Sequence, residues 1–397
     1  MADRTLANVL QSHPLLRDLR ERLKAESCLM KQGVHTEPDT DRPYYSGYAY
    51  KTLYDWDQYF EAIVQLYMGW GSEYVKNGVT IFLDHQRRGG LISRSVPSNH
   101  LHDPEHVKPF LAQTAVLVMR YYGESEWILN RRYYERLKRY LRYWLERMDS
   151  TGNGLAEWMS APHTGMDNHH ERAGHWRDRV SQGVDLNCYL YRECLAMAVL
   201  AERYGRSSDA ESFRGKARAL KQAIQRHLWH RRRGFFYDLS VKTGRRIGVR
   251  AISGFAPLWA GIATPAQAKR MVHEHLFDPD GFWTAYPAPA LAKSEPGYSR
   301  TPFETDVLGA NTCSWRANTW IPTNYMLYHG LKAYGYTQFA TLLADRTVDL
   351  VTRAGNREWY DCEAAEGRGL EPFWGWSLLA HFLPFEEATG ENPNRLF

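Results

Sequence analysis

Apolar residues recur along this chain at helical spacing, in segments joined alternately by tight turns and long polar loops. Between Asp55 and Met68 the positions Trp56, Phe60, Ile63, Val64 and Tyr67 form one stripe, the pattern of a helix with a buried face. A partner helix is expected over 72–86, closed by Gly89-Gly90. Residues 1–30 read as helix, and further pairs are expected over 109–122 and 124–148, 185–204 and 207–228, 254–261 and 265–276, and 323–334 and 337–354, with a last helix over 374–382. The segment 234–249 reads as a hairpin, whereas 31–47, 89–107 and 277–317 read as loops rich in glycine and proline. About a dozen helices without a fixed sequence repeat disfavour an open solenoid. A closed ring of helical hairpins with its long loops at one mouth fits better, and one such domain absorbs residues 1–397.

Composition narrows the function. The chain is 44% hydrophobic and 24% charged, ordinary for a soluble globular protein. Its 14 Trp and 25 Tyr lean towards carbohydrate, because aromatic faces stack on sugar rings as well as filling cores. The net charge of +5 is small and reads as spread along the chain. Its densest run, Arg231-Arg232-Arg233, is too short for a nucleic-acid patch and reads as a helix-end cap. Five cysteines with no CxxC pair fit free thiols in a reducing cytoplasm. No secretory leader opens the sequence and no apolar run spans a membrane, so the expectation is a cytoplasmic protein with neither membrane nor nucleic-acid partner.

Four segments combine carboxylates, tryptophans and hydrogen-bonding groups. The first is Tyr54-Asp55-Trp56-Asp57 at a helix start, where Asp55 suits a cap and Asp57 a sugar-hydroxyl acceptor. The second, 157–168, interrupts the helices with a polar, aromatic loop whose one carboxylate near its end is Asp167, between Gly165-Met166 and Asn168. Such a loop on a rigid scaffold is where chemistry is expected. The third is Trp315-Arg316-Ala317-Asn318-Thr319-Trp320, in which a planar guanidinium lies between two tryptophans. The fourth runs from Arg357-Glu358-Trp359-Tyr360-Asp361 to Trp374-Gly375-Trp376, with Glu358, Asp361, Glu363, Glu366 and Glu371 as competing acids. His163, His169, His170 and His175 lack a helical metal-binding spacing, so no metal and no cofactor is expected.

These blocks, Asp55-Trp56-Asp57 with Phe60, Gly165-Met166-Asp167-Asn168, Trp315-Arg316 with Trp320, Pro322, Asn324 and Tyr325, and Glu358-x-Tyr360-Asp361 before Phe373-x-Gly375-Trp376, stand in the order seen in glycoside hydrolase family 63, which the chain resembles over roughly residues 50–380. That family includes processing α-glucosidase I and the mannosylglycerate and glucosylglycerate hydrolases, and trehalases share several of its blocks. The compact length is closer to the mannosylglycerate/glucosylglycerate branch. The resemblance implies an all-α (α/α)6 barrel and an inverting exo-α-glycosidase acting on a small carbohydrate. It makes Asp167 the general acid and Glu358 the general base. It gives Tyr54, Trp56, Asp57, Gln113, Gly165, Trp315, Trp320, Tyr360, Trp374 and Trp376 to substrate binding, with Arg316 on the leaving-group side. His169-His170 after Asp-Asn and Ala317-Asn318 after Trp-Arg depart from the family's usual residues, also on the leaving-group side.

An inverting pair needs about 6.5–9.5 Å between its carboxyls to admit a water. The acid must stay protonated near neutral pH, which crowding by Trp158 would favour. Arg316, Arg94 and Arg172 are candidate partners for a charged aglycone such as glycerate. Kojibiose and trehalose are the neutral alternatives. A sugar epimerase using the histidines, or a non-catalytic sugar-binding protein, are the rival classes.

Overall fold

The structure is a computed structural model that describes residues 6–47, 51–98, 105–174, 178–300, 314–371 and 373–396. Helix accounts for 53% of the described residues and their strands are only two or three residues long, so the class is all-α. Two compact units emerge, one of Met1–Trp144, Arg192–Ala217 and Pro372–Phe397, the other of Leu145–Tyr191 and Arg218–Glu371. Among the described residues no helix is long and apolar enough to cross a membrane.

In the first unit, helix Asp55–Tyr67 forms over the expected stripe, yet all thirteen of its residues are buried rather than one face. A helix enclosed on every side must find partners for its polar groups inside. Gln58 Nε2 does so by donating to the Val75 carbonyl at 3.1 Å, and Tyr67 donates its hydroxyl to Glu386 at 2.5 Å. Helix Glu73–Asp84 follows. The expected loop 31–47 instead holds a short hairpin, Val34–Thr36 against Pro43–Tyr45. The helix expected from 124 begins at Arg131, because the Asn130 side chain accepts the Tyr133 N–H at 3.1 Å and caps it there.

The second unit contains Ile321–Ala333 and Thr337–Ala354, the latter with the bounds read from the sequence. Pro265–Arg270 starts on a capping box between Thr264 and Gln267. The single hairpin expected over 234–249 is two devices. Trp229–His230 pairs with Phe235–Phe236, and Leu239–Ser240 pairs with Ser181–Gln182. Arg231, Arg232 and Arg233 therefore occupy a hairpin turn and cap no helix, which corrects the reading from sequence. The carbonyls of Arg231 and Arg232 accept from the Arg270 guanidinium.

Candidate active site

The Asp167 loop is built by two single-turn helices. Ser160 caps Ala161–Thr164 by accepting the His163 N–H at 3.1 Å, proline sits in the first turn, and Gly165 ends it in the left-handed region at φ +83°. Gly165 thus serves as the pivot that turns the chain towards Asp167, and Thr164 Oγ1 takes the Met166 N–H at 2.9 Å. Asp167 itself is half-buried.

Both residues after Asp167 are bonded to one distant residue. Asn168 Oδ1 accepts the Trp315 N–H at 2.8 Å, and His169 Nε2 donates to the Trp315 carbonyl. His169 is fully buried, and burial, then the nearby Arg172 charge, pushes its pKa down to about 3. It is a neutral hydrogen-bonding residue. His163 accepts the Met159 N–H through Nδ1 at 3.2 Å and packs edge-on against Trp158, and His170 Nδ1 lies 3.4 Å from the Gly174 carbonyl. His175 and Cys313 lie outside the described residues. Among those described, no group of three His, Cys, Asp or Glu could hold a metal ion.

Trp315 stacks on Trp320 with centroids 3.7 Å apart and planes 8° from parallel, and Trp320 stacks on Trp359 at 6.2 Å and 23°. All three are buried, so Trp315 and Trp320 form a structural ladder. Its far end carries Glu358, whose neighbour Trp359 begins the strand Trp359–Tyr360. That strand pairs with Gly367–Arg368 and bonds to Thr319 through both Tyr360 backbone groups at 2.8 and 3.0 Å. Glu358 is 8% exposed and its Oε2 accepts the Leu370 N–H at 3.0 Å. The close approach requires Gly369, at φ +76°, where a Cβ would stand 2.5 Å from Glu358 Oε2. Tyr360 accepts the Arg357 N–H and donates to the Gly355 carbonyl, both at 2.9 Å, so its hydroxyl braces the turn before Glu358. Arg316 donates to the Gly297 carbonyl at 2.6 Å and pairs with Glu171.

Beneath the acid loop lies a group that sequence reasoning did not assemble. Arg172, fully buried, reaches Asp185 and Asp238, each at 2.5 Å, and lies 3.6 Å from the Met166 sulfur. Burial pulls its pKa down, but the two carboxylates outweigh that and raise it. Asp238 bears the penalty, since burial pushes it up to about 6 against the pull of Arg172. Trp158, expected to crowd Asp167, donates its indole N–H to Asp185 at 2.9 Å.

The remaining predicted residues belong to the first unit. Tyr54 pairs with Ser95 and ends at the helix carrying Trp56 and Asp57. Asp55 is buried against Lys108, accepting its backbone N–H at 2.8 Å and its ammonium at 3.0 Å, while that ammonium lies 5.6 Å from the Trp56 ring. Trp56 meets Trp376 edge-on at 6.0 Å. Trp374 is buried, its backbone bonded to Gly47 and to the Tyr45 hydroxyl. Gln113 is buried and engaged at both ends, with Pro109 at 2.8 Å and Arg192 at 3.0 Å. Arg94 is paired with Glu105 at 3.1 Å. Glu61, which the sequence reading did not single out, lies a helical turn beyond Asp57. Among the described residues neither of its buried oxygens has a hydrogen-bond partner, and burial, then Asp57, raises its pKa well above the usual range. The i, i+4 spacing of Asp57 and Glu61 was the available signal.

The chain matches the mannosylglycerate hydrolase MGH1-like glycoside hydrolase domain over residues 50–377. It is 31% identical to a mannosylglycerate hydrolase of Thermus thermophilus over 39% of this chain and 34% of that protein. It is 28% identical to a cytosolic neutral trehalase of Kluyveromyces lactis over 43% of this chain and 23% of that one. The matched segments thus span about a third or less of those relatives' length. A crystal structure of a family 63 mannosylglycerate hydrolase from Thermus thermophilus in complex with glucose superposes with a TM-score of 0.73 at 18% identity, covering 91% of this chain and all of that one. That likeness shows the fold, an (α/α)6 barrel.

Proposed function

The chain belongs to the mannosylglycerate hydrolase MGH1-like glycoside hydrolase family, and from that premise we propose that it is an inverting, exo-acting α-glycosidase. It releases a terminal α-linked glucose or mannose from a small glycoside such as glucosylglycerate or mannosylglycerate. Asp167 protonates the glycosidic oxygen. Glu358 takes a proton from the water that attacks the anomeric carbon on the opposite face. The observation that carries this reading is the mounting of the two carboxylates. The residues after Asp167 are tied to Trp315, Glu358 adjoins Trp359, and Trp315, Trp320 and Trp359 form one stack. A preorganised frame of this kind is what holds an acid and a base in working geometry. Asp57, Trp56, Tyr54, Gln113, Trp374 and Trp376 are assigned to gripping the terminal sugar. Gly165 shapes the acid turn and Arg316 faces the aglycone. Among the described residues Cys28, Cys188, Cys194 and Cys362 form no disulfide, which fits a cytoplasmic enzyme.

A neutral disaccharide such as trehalose or kojibiose is the second reading. The similarity to a trehalase favours it, as does the commitment of Arg316 to Glu171 and Gly297, which a glycerate carboxylate would have to displace. Purified protein is assayed by NMR against α-mannosylglycerate, α-glucosylglycerate, kojibiose and trehalose. The expected result is hydrolysis of one of the first two with the inverted anomer appearing first. Asp167→Asn and Glu358→Gln should keep the fold and abolish turnover. Near-full activity in either variant, or release of the retained anomer, would sink the assignment.

A further inference from the structure

Residues 226–250 contain eight arginines and lysines against the single acid Asp238, a net charge of +7 in a chain whose total is +5. The positive excess is therefore not spread along the chain. Six of the eight lie at the turns that follow His230 and Ser240 in the second unit, and folding brings part of that charge around one hollow. Arg233, Arg245, Arg246, His230 and Tyr237 line an open cavity of about 370 Å³.

The local geometry explains how the turns converge. Gly244, at φ +63°, closes the turn after Ser240, and the Leu239–Arg246 bridge with the Ser240 N–H to Arg245 carbonyl bond of 2.8 Å swings Arg245 and Arg246 back along the strand. Opposite them, the His230 and Tyr237 rings meet edge-on at 6.0 Å, with the Arg233 guanidinium 5.6 Å from the Tyr237 ring. Gly248 makes room for it, since a Cβ there would stand 3.2 Å from Arg233 Nη1. His230 Nδ1 accepts the Arg233 N–H at 3.2 Å, so Nε2 is the ring donor.

The carboxylates of this region are committed elsewhere. Asp238 holds Arg172, Glu274 holds Arg270, and Asp278 and Glu295 hold Arg250. Among the described residues, none is paired with Arg233, Arg245 or Arg246. Burial accordingly lowers the Arg246 pKa with nothing to oppose it, whereas Glu274 raises that of Arg270. Arg246 donates to the Arg226 carbonyl at 3.3 Å, and guanidiniums that line one hollow without a carboxylate partner attract an anion, their planar forks matching phosphate oxygens. The volume lies in the range of small-molecule pockets, roughly 300–1,000 Å³, and the aromatic walls suit a ligand with a flat or apolar body.

We propose that this cavity is a binding site for a small phosphorylated ligand, a phosphate ester or diphosphate, distinct from the residues assigned to hydrolysis. The proposal stands whether or not the glycosidase reading holds. The test is calorimetric titration of the full chain with pyrophosphate and with inorganic phosphate, at ionic strength held constant with NaCl. Saturable binding of one pyrophosphate per chain is expected. The exposed double variant Arg245→Gln/Arg246→Gln should weaken it by about tenfold or more. Arg231→Gln/Arg232→Gln removes the same charge from outside the cavity lining and should change it by no more than about twofold. Absence of saturable binding at millimolar ligand overturns the proposal. So does an equal loss in both double variants, which would mean diffuse attraction to a basic surface. A short single-stranded RNA that binds and is not displaced by pyrophosphate would also overturn it, in favour of a polymer site.

Discussion

Substituting alanine for Gly369 tests whether Glu358 is positioned for chemistry. Gly369 sits at φ +76°, and a methyl group there would meet Glu358 Oε2 at 2.5 Å, Glu358 Cβ at 2.7 Å and Trp359 Nε1 at 2.7 Å. Ordinary contact begins near 3.5 Å, so Glu358 must move by about 1 Å or the hairpin must open. Displacement of a reacting group by about that much lowers turnover by roughly 10²-fold. The left-handed backbone adds about 1–2 kcal/mol of destabilisation. Gly355, at φ +75° in the turn preceding Glu358, has open space for 4 Å around the point where an added methyl would stand and therefore isolates the backbone penalty. Gly355→Ala, at φ +75° and ψ −179°, should lose about 1–3 kcal/mol in urea unfolding and keep its kcat. Gly369→Ala should lose at least as much stability and, measured well below its unfolding transition, most of its kcat. Equal activity in the two variants would refute the claim that the Glu358 carboxylate is held for catalysis by this close approach.

Three further outcomes follow from the frame around Asp167. Asn168→Ala strips the acceptor from the buried Trp315 N–H, which should cost about 1–3 kcal/mol in denaturant unfolding. It should also lower kcat more than it raises KM, and unchanged stability would show that the bond contributes nothing. Arg172→Met leaves Asp185 and Asp238 facing each other without a cation. A loss of about 3–5 kcal/mol is expected, and a neutral effect would contradict the ion-pair account. His169 supplies the pH test. The unfolded chain protonates it below about pH 6.5, while the buried ring resists down to about 3, so its contribution is complete above pH 6.5 and is lost as pH falls through that window. Asp238, with a folded pKa near 6, acts in the opposite direction, stabilising as pH falls from about 6 towards 4. His169→Gln keeps a donor for the Trp315 carbonyl and shares every other titration, so its loss of stability between pH 7 and pH 5 should be about 2 kcal/mol smaller than that of the parent. Parallel pH profiles would exclude His169 as the acid-sensitive group.

What the linear sequence determined was local in origin. Helices such as Asp55–Tyr67 and Thr337–Ala354 appear where apolar spacing placed them, because that spacing and the flanking glycines act within a few residues. The family blocks were legible for a related reason, since each is a short run whose identity survives without its neighbours. Tertiary structure decided what those runs do. Asn168 and Trp315 are joined across 147 positions, and no local pattern distinguishes an asparagine that accepts such a bond from one in a solvated turn. Trp315 and Trp320 stack in a buried ladder that Trp359, distant in the chain, extends. The Asp238 carboxylate, within the segment 234–249 read as a hairpin, becomes one arm of a buried ion group when Arg172 comes within 2.5 Å. Net charge misled for the same reason. Electrostatic and steric effects depend on distance in space and on exclusion of water, and hairpin pairing set both for Arg233, Arg245 and Arg246.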